Sequence, residues 1–167
     1  MERKGVNVEE RIGERRIVLD LDLCIGCRSC EAACRVAFKN EGRIRHAEIG
    51  SQAYLPLACR HCEDPLCATA CPVDAIVQDE STGLTRRLPF LCIGCSSCMY
   101  ACPFGVLDGS LIRHLSQKCD YCRDREDGPR CVSSCVSGAL QYLTQKEYEK
   151  RGIATRTLSR HPFWRRS

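Results

Sequence analysis

Residues 23–34 read LCIGCRSCEAAC and residues 91–102 read LCIGCSSCMYAC, identical at nine of twelve positions. These stretches hold half of the chain's 16 cysteines, and no other feature restricts the fold of its 167 residues so strongly. The cysteines form four groups of four. The first is Cys24, Cys27, Cys30 and Cys34, spaced C-x2-C-x2-C-x3-C. The second is Cys59, Cys62, Cys67 and Cys71, with four residues in the middle gap. Cys92, Cys95, Cys98 and Cys102 repeat the first spacing, and Cys119, Cys122, Cys131 and Cys135 open the middle gap to eight residues. Every group opens C-x2-C and closes C-x3-C, and no cysteine is left over. Groups one and three recur at an offset of 68 residues, and groups two and four at 60. The chain therefore reads as a duplicated unit whose halves each carry two groups.

Cysteine also changes what composition means. The apolar fraction is 44%, but about a third of the chain remains apolar once cysteine is set aside, with one Trp, four Phe and two Met. A core this poor in bulk needs another source of cohesion. In a secreted chain that source is disulfide bonds. Here the N-terminal MERKGVNVEERIGERR is charged and has no apolar segment behind it. Arg15-Arg16 is followed by IVLDLDL, too short and too acidic for an export signal. No run of 18 apolar residues exists, so no membrane-spanning segment is expected. A cytoplasmic setting is expected, where dense cysteine binds metal.

A zinc ion draws its ligands from two separate C-x2-C pairs. Three cysteines within seven residues suit a larger body, such as an iron–sulfur cube ligated at its corners. C-x2-C-x2-C-x3-C is the bacterial ferredoxin run, whose fourth cysteine reaches across to the other cluster. Gly26 gives the loop the freedom to close. Pro72 and Pro103 follow the last cysteines of groups two and three, as in that run, whereas Arg35 and Val136 stand there in groups one and four. Four zinc ions are the main rival and would leave the protein colourless.

Between the groups, Ala75–Val77, the turn-rich DESTG at 79–83 and Leu84–Leu88 predict a hairpin. Arg16–Leu23 predicts a lead-in strand, and 35–58 a loop with one helical turn. His61 inside group two reads as a packing or hydrogen-bonding residue, because four cysteines already complete the set. Lys118 reads equally as a cation screening a cluster or as a solvated side chain, and Pro129 as a loop-shaping residue. No nucleophile–base pair, phosphate loop or nucleotide fingerprint is present, so bond chemistry by this chain alone is not expected.

The ordered set of four spacings, with CRHCEDPLCATACPVDAI at 59–76 and KCDYCRDREDGPRC at 118–131, resembles the iron–sulfur electron-transfer subunits of the dimethyl sulfoxide reductase family. The resemblance implies an α+β fold: two intercalated bacterial-ferredoxin-like units of small β-hairpins and short helices around four 4Fe-4S clusters. Groups one and four would form one unit and groups two and three the other. One cluster would take Cys24, Cys27, Cys30 and Cys135, and another Cys34, Cys119, Cys122 and Cys131. A third would take Cys59, Cys62, Cys67 and Cys102, and the last Cys71, Cys92, Cys95 and Cys98. Residues 17–147 would be the cluster domain, 1–16 an N-terminal extension and 148–167 a basic C-terminal tail.

The implied role is a non-catalytic subunit passing single electrons between a catalytic oxidoreductase subunit and a second redox partner. A tungsten or molybdenum enzyme, such as an aldehyde oxidoreductase with this chain as small subunit, is preferred over a hydrogenase, a formate dehydrogenase or a carbon monoxide dehydrogenase. A free soluble polyferredoxin carrier is the alternative, and self-association through the terminal extensions is a further arrangement left open. Four clusters of about −2 each would turn the formal +4 into about −4, so the basic residues balance clusters rather than nucleic acid. In RGIATRTLSRHPFWRRS, five arginines beside Phe163 and Trp164 read as a solvated tail or a docking strap.

Overall fold

The computed structural model describes residues 15–39, 42–50, 53–107, 109 and 117–152. The expected N-terminal extension, apart from Arg15 and Arg16, lies outside these residues. So does the tail from residue 153 onward, with Phe163 and Trp164.

Every regular element is short. β1 (Arg15–Leu19) leads to α1 (Ser29–Ala37), which carries Cys30 and Cys34 on its buried face. β2 (Arg45–Ile49) and β3 (Ala53–Leu57) form an antiparallel hairpin, followed by α2 (Leu66–Thr69). β4 (Ile76–Gln78) and β5 (Thr85–Arg87) form a second hairpin, and a single 3-10 turn at Pro89–Leu91 precedes α3 (Ser97–Ala101). α4 (Arg130–Ser133) starts directly after Pro129, its N-cap residue, which sits in extended backbone. β6 (Leu140–Thr144) then runs into α5 (Gln145–Arg151), so this helix continues through the expected domain boundary at 147. This is a small α+β protein of short helices and two-stranded ladders.

Distant segments are joined in pairs. β1 lies antiparallel to β6, with Ile17 opposite Tyr142 and Leu19 opposite Leu140. α1 packs on α4, and α2 on α3. Elements beside the first cysteine group thus meet those beside the fourth, while those of the second meet those of the third. The main core gathers Ile44, Ala58 and Leu140 around Cys30, Cys34 and Cys131, with Ile17, Leu19, Phe38 and Val132 against them. Burying Ile44 or Leu140 contributes about 1.5–3 kcal/mol each. No large side chain among the described residues is less than 2% exposed. The thin core expected from composition is what forms.

Two local expectations need correction. Segment 35–58 is not a loop with one helical turn: α1 extends to Ala37, and β2 and β3 pair over five residues each. The strand signal is masked because Pro56 sits within β3 and charged residues break the apolar alternation of β2. The lead-in strand stops at Leu19 rather than Leu23, because the Asp20 carboxylate accepts the Asp22 N–H and turns the chain, leaving Leu23 44% exposed. The expected hairpin forms as β4–β5, its turn held by Asp79, whose Oδ1 accepts N–H bonds from Ser81 and Thr82. Among the described residues no helix is long and apolar enough to cross a membrane.

Candidate metal centre

All four cysteine loops share one backbone feature. The second residue between the opening cysteines has a left-handed φ: +69° at Gly26, +47° at His61, +72° at Gly94 and +57° at Tyr121. In groups one and three the next spacer, Arg28 or Ser96, is left-handed too and starts α1 or α3. Alternating hands turn successive backbone N–H groups toward one side, which makes a concavity suited to an anion.

The spacer also decides which way a loop faces. In the two glycine loops Cys27 and Cys95 are exposed. In the other two the spacers are rings, His61 at 3% and Tyr121 at 2% exposure, and they meet edge to face at 4.8 Å. His61 Nδ1 accepts the Thr85 N–H at 2.8 Å, consistent with a packing and hydrogen-bonding role. Burial, followed by the nearby Lys118 charge, holds its pKa down near 4, so the imidazole is neutral.

The structure brings together cysteines far apart in sequence. Cys59, Cys62, Cys67 and Cys102 line one recess. Cys71, Cys92, Cys95 and Cys98 line a second. Cys135 lies close enough to Cys24 and Cys30 to disfavour their thiolates, as does Cys27. Cys34 stands in the same relation to Cys119, Cys122 and Cys131. None of the sixteen is in a disulfide bond. Among the described residues no three His, Cys, Asp or Glu side chains close to the spacing of ligands around a single ion. Eight of the sixteen cysteines line the two recesses.

Their sulfurs already have donors. Backbone N–H groups of Arg43, Ala75 and Leu140 point at Cys34, Cys71 and Cys135, at 3.2, 3.2 and 3.3 Å. Lys118 Nζ lies 3.0 Å from Cys67 Sγ, and Arg87 Nη2 lies 3.1 Å from Cys92 Sγ. Lys118 is therefore not a solvated side chain. Burial pushes the Cys30 thiol up to about 11 and the Cys131 thiol to about 12, so neither ionises readily without a compensating cation. The Ser29 and Ser97 hydroxyls and N–H groups hold Cys27 and Cys95 below the usual thiol range. Burial raises Cys92, but the Gly94 N–H and the Arg87 guanidinium outweigh it and leave the thiol low. Four thiols around a recess, with N–H and cationic donors at sulfur, fit a sulfur-ligated iron cube, whose thiolates need such donors.

Cysteine-walled recesses held between small hairpins and short helices define a ferredoxin-type iron–sulfur protein. The chain belongs to the 4Fe-4S dicluster domain family, whose model matches residues 50–145, and a 4Fe-4S binding domain model matches residues 17–38. It is similar to the electron transport protein HydN of Escherichia coli (strain K12), 33% identical over 164 residues, covering 81% of this chain and 91% of HydN. Formate hydrogenlyase subunit 2 of the same organism is 30% identical over 184 residues, covering 87% and 89%. The longer E. coli (strain K12) proteins UacF and AegA are 39% and 37% identical, but the chain spans only 21% and 22% of their lengths. Among solved structures, the active site complex BamBC of benzoyl coenzyme A reductase aligns over 85% of this chain and 89% of its own. Its identity is 25% and its TM-score 0.39, too loose to bear on function.

Sequence reasoning alone misses the His61–Tyr121 contact and the placement of Arg87. The equivalent position of the two rings in C-x2-C was the available signal, and only folding shows that they touch.

Proposed function

We propose that the chain is a non-catalytic electron-transfer subunit relaying single electrons through four 4Fe-4S clusters. The clusters are held by Cys24, Cys27, Cys30 and Cys135; by Cys34, Cys119, Cys122 and Cys131; by Cys59, Cys62, Cys67 and Cys102; and by Cys71, Cys92, Cys95 and Cys98. Two intercalated ferredoxin-like units carry them within residues 17–147, flanked by the extension 1–16 and the basic tail 148–167. Each cluster supplies one-electron storage without proton transfer.

The observation that supports this reading is that the four cysteine sets neighbour one another in series. Cys30 of the first set is near Cys131 of the second. The second meets the third where Tyr121, itself near both Cys119 and Cys59, packs on His61. Cys67 of the third lies near Cys98 of the fourth. The line ends at exposed Cys27 on one side and exposed Cys95 on the other. Ile25 beside the first end, and Phe90, Ile93 and Tyr100 around the second, are exposed apolar groups where partner proteins can seat.

One partner is a catalytic oxidoreductase and the other a second redox protein. The family resemblance favours a tungsten or molybdenum enzyme, such as an aldehyde oxidoreductase. The name of formate hydrogenlyase subunit 2 points to formate- or hydrogen-linked enzymes. Anaerobic purification of the tagged chain from its native host, with metals counted in everything captured, tests the proposal. About 16 iron atoms per chain and a large partner holding tungsten or molybdenum are expected. The same iron with no partner would shift the reading to a free polyferredoxin carrier, and zinc in place of iron would overturn both.

A further inference from the structure

Two buried cations touch sulfur. Lys118 and Arg87 are each 6% exposed. Lys118 lines the recess of Cys59, Cys62, Cys67 and Cys102, with its ammonium 3.0 Å from Cys67 Sγ. Arg87 lines the recess of Cys71, Cys92, Cys95 and Cys98, with its guanidinium 3.1 Å from Cys92 Sγ. Lys118 is also near enough to Cys98 to favour its thiolate, so its charge reaches both recesses. A cation this far out of water is tolerable only beside matching negative charge.

The other two sites have different surroundings. Backbone N–H groups of Arg43 and Leu140 donate to Cys34 and Cys135. The Arg43 guanidinium is engaged elsewhere, 2.5 Å from the Asp120 carboxylate and 3.6 Å from the centre of the Phe38 ring. Asp120 adjoins Cys119, accepts the Cys122 N–H at 3.0 Å and forms the ion pair with Arg43. The recesses of groups two and three therefore each have a buried cation at a cysteine sulfur, whereas Arg43 and Asp120 beside group four pair with each other.

We propose that Lys118 and Arg87 set the direction of the relay, by giving the two sites they touch a higher reduction potential than the two sites of cysteine groups one and four. The inference rests on the relay reading above. Adding an electron adds one negative charge, and a fixed cation a few ångströms away stabilises that charge most where water is excluded. No proton is needed, since both side chains keep their charge throughout. A one-electron donor docked at the Cys27 end would then feed electrons that settle toward the Cys95 end, where a one-electron acceptor removes them. Lys118 and Arg87 are positioning residues: they act through the sulfurs they touch.

The test uses the full-length chain, purified anaerobically with its iron, brought to a series of ambient potentials with dithionite and mediators and read by EPR. In the wild type, two sites should reduce well before the other two, separated by at least tenfold in reduced-to-oxidised ratio at one ambient potential, or 59 mV. Lys118→Met and Arg87→Met should each lower that ratio at least tenfold for high-potential sites and leave the low-potential pair within threefold. Lys118→Arg and Arg87→Lys, which keep the charge, should stay within threefold of wild type. Met variants that retain full iron with unmoved potentials would overturn the proposal while leaving the relay intact. A wild type whose four sites reduce together within threefold would also overturn it, and needs no variant to fold. Protein without any iron–sulfur signal would overturn the relay itself. Should the Met variants lose iron, Lys118→Gln and Arg87→Gln are read in their place.

Discussion

Gly26 and Gly94 hold the same place in the repeated loop, so alanine at each separates two costs. Both have φ near +70°, and an alanine at either one pays about 1–2 kcal/mol for a left-handed backbone. Their surroundings differ. A Cβ on Gly26 would stand 2.7 Å from Cγ, Cδ2 and Cε2 of Tyr54, whereas a Cβ on Gly94 would meet nothing within 4 Å. Cγ is among the touched atoms, so the methyl would press on the base of the ring rather than on its free tip. The ring also leans on His46, with centroids 5.7 Å apart, and relief requires β3 to shift. Overpacking of this kind adds roughly 1–3 kcal/mol. Gly26→Ala should therefore lose about 2–5 kcal/mol and Gly94→Ala about 1–2. Cluster-bearing proteins seldom unfold in two states, so the readout is the rate at which visible iron–sulfur absorption bleaches in guanidinium. At tenfold per 1.4 kcal/mol, Gly26→Ala should bleach roughly 5- to 140-fold faster than Gly94→Ala. Adding Tyr54→Ala to Gly26→Ala, with Tyr54→Ala alone as reference, should bring the rate within threefold of Gly94→Ala. Equal rates for the two alanine variants, or a double variant as fast as Gly26→Ala, would refute the reasoning.

Three further outcomes follow from local structure. Thr144 and Glu147 form a reciprocal capping box at the start of α5, so Thr144→Ala should cost about 1 kcal/mol, seen as faster amide exchange in α5 with unchanged bleaching. His61→Leu removes the acceptor of the buried Thr85 N–H, and the orphaned donor should cost about 1–3 kcal/mol, read as faster bleaching and lost protection at Thr85. The Ser81 hydroxyl first, then the Thr82 N–H, hold the Asp79 carboxyl down near 2, against an ordinary 3.8. A depressed carboxylate stabilises fully above its unfolded value and loses that contribution only as pH falls toward its folded value. The ratio of bleaching rates between Asp79→Ala and wild type should accordingly stay flat from pH 8 to 5.

The parts of the molecule legible in the sequence are those governed by local chemistry. Cysteine spacing announces the candidate sites because each group is written within 11 to 17 residues, and DESTG announces the β4–β5 turn because Asp79 bonds its own neighbours. The β2–β3 hairpin was hidden, since Pro56 and the charges of RHAEI obscure its period. The cations were harder still. Lys118 and Arg87 look like surface residues in any composition count, and only the convergence of β5, the 117–120 segment and the cysteine loops buries them.

The spacer residue explains why the four cysteine loops are not equivalent. A left-handed spacer is required in every loop, and glycine meets that need at the least backbone cost. Where His61 and Tyr121 replace it, each accepts roughly 1–2 kcal/mol of strain. Burying the apolar body of Tyr121 contributes about 1.5–3 kcal/mol, comparable with that strain, and the buried His61 ring is held by its hydrogen bond from Thr85. The exchange works only where a partner surface is available, and each ring finds the other 4.8 Å away. Loops with rings therefore turn inward and fill the join between the two halves, while glycine loops have no side chain to bury and stay at the surface with Cys27 and Cys95. The same choice of spacer that closes the middle of the molecule thus leaves its two ends open.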